Sequence, residues 1–207
     1  MIIRDVREHE LDLVLALNNA AGPGILPMDA AKLRFFWEHA DYFRVAEKDG
    51  LLAGFLVAVS QDAPHDSPNF LWFREKYPEF LYIDRIVVAS TRRGAGVGRV
   101  FYGDVQSYAE VRVPRLAAEV FLDGTSHPAL LFHGTFGFRE VGQHVMPGPG
   151  VRAAMLVKEM CSHDFIRRTY DGHLPAEPWL LARSLPRDRP PADRPPGGGP
   201  SQYAAGA

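Results

Sequence analysis

Two hydrophobic rhythms alternate along the chain. Residues 2–6 form a short apolar run of strand character. Residues 8–20 carry Leu11, Leu13, Val14, Leu15 and Leu17 as the apolar stripe of a helix, which runs into the breaker Gly22-Pro23-Gly24. Residues 29–39 make a second helical stretch. The apolar runs 42–47 and 51–60 flank Lys48-Asp49-Gly50, and an Asp-Gly pair between two such runs is a strong hairpin signal. Residues 80–89 (FLYIDRIVVA) have the strongest strand character of all. A helix is predicted over 98–111, a strand over 116–122, a short helix over 128–135 and a closing strand pair over 138–145 and 151–160. The order β-α-α-β-β-β-α-β-α-β-β predicts an α/β fold in which a mixed sheet carries helices on both faces.

The pattern stops before the chain does. Residues 183–207 are dense in Pro, Gly and Arg and hold almost no apolar mass, so a disordered tail is expected there. Residues 161–182 are intermediate: Phe165, Ile166, Tyr170, Trp179 and Leu180 give this extension something to pack with. One domain over 1–160 remains. Its composition excludes several classes. A net charge of −2 argues against nucleic acid or an acidic membrane as partner. The single cysteine, Cys161, excludes an intrachain disulfide. The longest apolar run, 51–59, is about half the ~18 residues a spanning helix needs, and residues 1–7 lack the apolar segment of a signal peptide. A cytoplasmic location is expected.

The chemistry concentrates where the strongest strand ends. After Ile86, Val87 and Val88 come Arg92, Arg93, Gly94, Ala95, Gly96, Val97 and Gly98, and then a helix begins. Glycines in a strand-to-helix turn admit positive φ and let a ligand approach the backbone. Successive N–H groups and the helix N-terminus then favour an anion, most simply phosphate or pyrophosphate. No Gly-Lys pair occurs, so this is not a Walker A loop, and Arg99 stands where a dinucleotide fingerprint needs its third glycine. The pattern that fits is Arg-x-x-Gly-x-Gly, at Arg93, Gly96 and Gly98.

That motif resembles the coenzyme A pyrophosphate loop of the GNAT acetyltransferases. A second resemblance lies at Phe132-His133 and Gly137-Phe138, which match the aromatic-(Tyr or His)-x-x-x-Gly-Phe signature of the same family. The likeness covers roughly residues 2–160. It implies a GNAT fold with a mixed, mostly antiparallel central sheet, acetyl-CoA as acyl donor and an amine as acceptor. It also implies donor contacts from Ile86, Val87, Val88, the turn from Arg92 to Gly98, Ser126 and Phe132. The strand 82–88 should splay from the strand 116–122 and open the cleft. The chain departs from the family pattern at Phe121 and Ser126, where Asn is common, at Ala129, where Ser is common, and at His133, where Tyr is usual.

Acetyl transfer needs a base for the ammonium and a proton for the leaving thiolate. Glu119, a carboxylate inside the apolar strand Ala117-Ala118-Glu119-Val120, is a candidate base; the alternative is a structural ion pair with Arg85 across the strands. Asp84, beside Arg85, is either a base or amine anchor or a structural pair. His133 is either a proton donor to the thiolate or a packing histidine. The loop 61–79 carries Phe70, Trp72, Phe73 and Tyr77 among four acids, so Phe70, Trp72 and Tyr82 are candidate acceptor contacts, unless this stretch is a surface helix with one packed aromatic face. Residues 18–24 are a candidate lid. His127, His144 and His163 lack metal-ligand spacing, and no metal is expected. The expected acceptor is a small primary amine or amino-acid-like molecule, and a homodimer is compatible with the sequence. The other reading is a non-catalytic GNAT-like module that binds CoA or a protein partner.

Overall fold

The structure, a computed structural model, describes residues 1–170 apart from 23, 123–126 and 148–149. The expected tail 183–207, most of the extension 161–182, and Ser126 therefore lie outside the described residues. Seven strands form one sheet: β1 (Ile2–Asp5), β2 (Tyr42–Lys48), β3 (Leu51–Ser60), β4 (Leu81–Val88), β5 (Arg115–Phe121), β6 (Arg139–Val145) and β7 (Arg152–Glu159). Their order is β1-β2-β3-β4-β5-β7-β6, and among the described residues β4–β5 is the one parallel pairing. The helices are α1 (Leu11–Asn19), α2 (Ala30–His39), α3 (Pro68–Lys76), α4 (Val97–Glu110), α5 (His127–Thr135) and α6 (His163–Tyr170). No helix among the described residues is long and apolar enough to cross a membrane.

The sheet has a packed core on each face. On one face, Val14 of α1, Leu33 and Phe36 of α2, and Phe70 and Phe73 of α3 pack with Phe43, Phe55, Tyr82 and Val87. On the other, Val97, Phe101, Tyr102, Val105 and Ala109 of α4 cover Leu56, Leu81, Ile83, Leu116 and Ala118. Alternating side chains along β4 and β5 feed these two cores, as the period of two requires. The expected hairpin is present: Asp49 and Gly50 both have positive φ, 56° and 74°, which the primed turns between strands demand.

Two elements resolve what the sequence leaves open. Residues 61–79 hold a full helix, α3, with Pro68 at its start and Phe70 and Phe73 turned into the core. The extension after residue 160 opens with α6, whose His163 is buried while Phe165 is exposed.

The decisive irregularity is in β4. Ile83 pairs with Ala58 and Arg85 with Val57, so Asp84 is an extra residue with no partner on β3, a β-bulge. A bulge bends its strand and adds local twist. On the other side of β4, pairing with β5 is confined to Leu81–Leu116, Tyr82–Ala117 and Ile83–Ala118. Beyond Ile83 the two strands part.

Close packing of β3 against the far end of β4 depends on Gly54. A Cβ there would lie 2.3 Å from the Val87 carbonyl oxygen, a backbone atom that cannot swing aside. Gly54→Ala is expected to destabilise the domain by about 1–3 kcal/mol, the usual cost of overpacking. A lowered urea midpoint with an unchanged slope would show it; an unchanged midpoint would mean that β3 and β4 accommodate the methyl group.

Candidate active site

Where β4 and β5 part, a cavity of about 1070 Å³ opens through the sheet. One end is the turn into α4. A 3₁₀ turn (Ser90–Arg92) follows β4, and Gly94 and Gly96 then take φ of +78° and +80°. Gly96 is the N-cap of α4, with no side chain capping it, so the first N–H groups of this 14-residue helix face the cavity mouth unpartnered by the helix itself. Among the described residues, nothing lies within 4 Å of where a Cβ would stand on Gly94 or Gly96. This open cradle with a positive dipole end fits a phosphate group. Gly98 serves packing as well: a Cβ there would lie 3.0 Å from the Phe132 ring. Arg92 pairs loosely with Asp49 at 3.5 Å, and Arg93 donates to the carbonyl of Ala21 at 2.7 Å.

The other end holds the buried charges. The bulge turns Asp84 and Arg85 to the same face of the sheet. Asp84 Oδ1 accepts from Arg85 Nε at 2.8 Å, and Oδ2 lies 2.7 Å from His65 Nε2. The backbone N–H of Ser67 donates to His65 Nδ1 at 3.0 Å, which fixes the ring as the neutral Nε2–H tautomer donating to Asp84. Burial alone would raise the Asp84 pKa, but His65 and Arg85 outweigh it and hold the carboxyl at about 2. Arg85 also donates to Asn18 Oδ1 at 2.8 Å, while Asn18 and Asn19 bond the carbonyls of Leu26 and Met28. The candidate lid is thus tied to the site by Asn18, Asn19, Arg85 and Arg93.

Glu119 is in the opposite condition. Burial, and then the negative charge of Asp84, push its pKa up to about 7. Tyr82 and Asn69 lie close enough to pull it back, yet neither completes a hydrogen bond. Glu119 Oε2, Tyr82 OH and Asn69 Nδ2 are buried and unpartnered among the described residues. His144 Nδ1 lies 2.9 Å from Asn69 Oδ1, and this bond orients the amide so that Nδ2 remains the free end. The unpartnered carboxylate oxygen of this pKa, with two further unpartnered polar atoms beside it, makes a place for a proton-bearing guest. His133 lies on the cavity wall, 2.8 Å from the Tyr102 hydroxyl through Nδ1, with the rings of Phe132 and Phe138 edge-on to it. Burial lowers its pKa to about 4, so the ring is neutral at pH 7.

The cavity wall brings together Glu119, Asp84, His133, Ile86, Val87, Val88, Arg92, Arg93, Gly94, Gly96, Val97, Gly98 and Phe132. Ala95 is in the same turn but not on the wall. Other expectations need correction. Arg85 pairs with Asp84 and not with Glu119, because the strands have parted at that level. Phe70 is buried in the core and Trp72 packs over Gly142, so α3 turns both away from the cavity. Tyr82 is fully buried and offers only its hydroxyl, beside Glu119. His65, Asn69 and Lys32, which no linear motif announces, do line the wall.

Comparison with known proteins agrees with this geometry. Residues 11–138 match the sequence profile of the acetyltransferase (GNAT) family. No curated protein sequence matches the chain. Among solved structures, the ribosomal-protein-alanine N-acetyltransferase from Brucella melitensis superposes with a TM-score of 0.57 at 24% identity, over 77% of this chain and 99% of that one. Naa20 from Chaetomium thermophilum, in complex with a bisubstrate analogue, gives 0.60 at 20% identity over 80% and 90%. An N-acetyltransferase from Staphylococcus aureus Mu50 gives 0.58 at 18% identity over 77% and 98%. These likenesses establish a shared fold.

The raised pKa of Glu119 has a consequence for stability. The folded chain keeps a proton that the unfolded chain releases near the ordinary value of 4.5. Stability therefore falls as pH rises from about 4.5 to about 7, by on the order of 3 kcal/mol, and then levels off. Asp84 acts in the opposite sense: its contribution is present above 3.8 and lost as pH falls toward 2. Glu119→Gln is expected to abolish the decline between pH 4.5 and 7 in urea titrations and to leave the acid limb. A variant that retains the full decline would assign it to another group.

Proposed function

Because the chain belongs to the GNAT acetyltransferase family, we propose that it moves an acetyl group directly from acetyl-CoA to the primary amine of a small, amino-acid-like acceptor. The observation that carries this reading is the parting of β4 from β5. It joins the open glycine turn at the start of α4 and the buried carboxylate of Glu119 in one cavity.

On this reading the donor's pyrophosphate rests on the backbone N–H groups of residues 93–98, with Arg92 and Arg93 adding charge. The pantetheine arm then runs along the unpaired side of β4, where the N–H of Ile86 or Val88 meets the thioester carbonyl. Phe132, held against Gly98, flanks the arm. The acceptor enters from the side of Asp84 and Glu119. Glu119 takes a proton from the ammonium, directly or through a water held by Tyr82 and Asn69. A pKa of about 7 suits a base that must be half free at neutral pH and strong enough to act. The amine nitrogen bonds the acetyl carbon, the C–S bond breaks, and the sulfur leaves as thiolate and takes up the second proton that the nitrogen sheds as the amide forms. His133 serves that sulfur as a neutral N–H donor backed by Tyr102, since an imidazolium is not populated there at neutral pH. Asp84, already ionised and paired, tunes Glu119 and draws in the cationic acceptor.

Two measurements test this reading. Gly96→Val places a branched side chain at a φ of +80° in the mouth of the cradle and is expected to abolish CoA binding by calorimetry while the fold persists. Unchanged affinity in a folded variant would remove the turn from the donor site. With a panel of amines, CoA-thiol release should rise with pH through about 7, and Glu119→Gln should lower kcat by about 10²–10⁴-fold and erase that rise. A near wild-type rate in the variant would exclude Glu119 as the base.

A further inference from the structure

Among the described residues, Lys32 is a cation of the cavity wall with only a loose, exposed partner. It lies in the first turns of α2, where its backbone N–H is capped by Asp29 at 2.7 Å, and its side chain reaches the cavity wall. The side chain is 29% exposed, and its ammonium lies 4.8 and 5.1 Å from the ring centroids of Phe35 and Phe36. Among the described residues, the carboxylate that comes within 4 Å is Asp66, at 3.8 Å and 96% exposed. That pair is too long for a hydrogen bond and too well hydrated to fix the ammonium.

The nearer polar atom is His65 Nε2, at 3.4 Å. It cannot accept from Lys32, because it carries the proton donated to Asp84; Nδ1, which has the lone pair, is taken by the Ser67 N–H. Two donors thus face each other. The other cation on this side, Arg85, is spent on Asp84 and Asn18. A half-buried ammonium with three donors, no good acceptor among the described residues and apolar rings beside it is a ready partner for a guest oxyanion. Lys32 approaches the His65–Asp84 pair through His65, and Glu119 feels the charge of Asp84. Lys32 and Glu119 also line the same cavity, which sets an anion site and an amine site in one space.

We propose that Lys32 binds a carboxylate of the acceptor, so that the molecule acetylated is a free amino acid, with its amine at Glu119 and its carboxylate at Lys32. This rests on the acetyltransferase reading above. An amine without a nearby carboxylate, including a peptide N-terminus, leaves Lys32 without a counterion.

The test compares alanine, phenylalanine and glutamate with their α-carboxamides, their decarboxylated amines and dipeptides beginning with the same residues. Each is assayed with acetyl-CoA on the full chain and on Lys32→Gln and Lys32→Glu, with thermal melts to confirm folding. The free acids are expected to exceed the carboxamides, amines and dipeptides by tenfold or more in kcat/KM. Lys32→Gln should remove that preference through KM with kcat nearly kept, and Lys32→Glu should invert it toward the amines. Turnover of carboxamides or dipeptides as good as that of the acids overturns the anchor while the acetyltransferase reading stands. So does an equal loss on every acceptor in Lys32→Gln. Turnover of no amine, by a chain that still binds CoA in calorimetry, overturns both.

Discussion

Asp84 is a residue for which β3 has no counterpart, and the rest of the site follows from that surplus. The added residue bends β4 away from β5 just past Ile83, so the sheet parts in its middle instead of at an edge. It also puts two successive side chains, Asp84 and Arg85, on one face, where the pleat would have put them on opposite faces. The same irregularity therefore opens the space, supplies its fixed charge and directs Arg85 toward Asn18 and the chain segment that follows α1. Gly54 allows β3 to stay close to β4 through this distortion, against the Val87 carbonyl.

The two carboxylates of the gap show how one environment sends like groups in opposite directions. Both are buried, and burial by itself raises both. Asp84 has His65 and Arg85 within hydrogen-bonding distance and stays ionised; Glu119 pairs with no cation among the described residues and feels Asp84 as a like charge. Separation of this kind divides labour between an electrostatic anchor and a group that can exchange a proton near neutrality. His133 is governed by burial alone and stays neutral, so a histidine placed at a catalytic-looking position in the sequence need not be the group that titrates.

Much of the sheet was legible because its signals are local. The Asp49-Gly50 turn, the apolar run that becomes β4 and the glycine turn into α4 are each written in consecutive residues, and each lies within a residue or so of its expected place. The sequence leaves open whether Phe70 and Trp72 meet an acceptor or a core, because an aromatic cluster announces a packed helix without saying which way it faces. The sequence offers Arg85 both Asp84 and Glu119 as partners; the Glu119 pairing needs a register that the bulge abolishes, and Asp84 takes the guanidinium. His65, Asn69 and Lys32 come from a loop and two helices, and only the folded chain brings them to one wall. Their chemistry depends on partners as distant in sequence as His144 is from Asn69.

The parted strands also bear on cohesion. β1 to β4 and β5 to β7 are two hydrogen-bonded halves joined by three residue pairs, with α4 packed against strands of both. The seam is the weak line of the domain, and the open side of β4 along it is an interior edge, with backbone donors and acceptors that no strand satisfies. A guest that bonds that edge acts as a surrogate strand and restores to the sheet the ladder its bulge removed. Occupancy and cohesion then become one quantity: whatever fills the gap holds the two halves together, in proportion to the logarithm of its concentration over its dissociation constant.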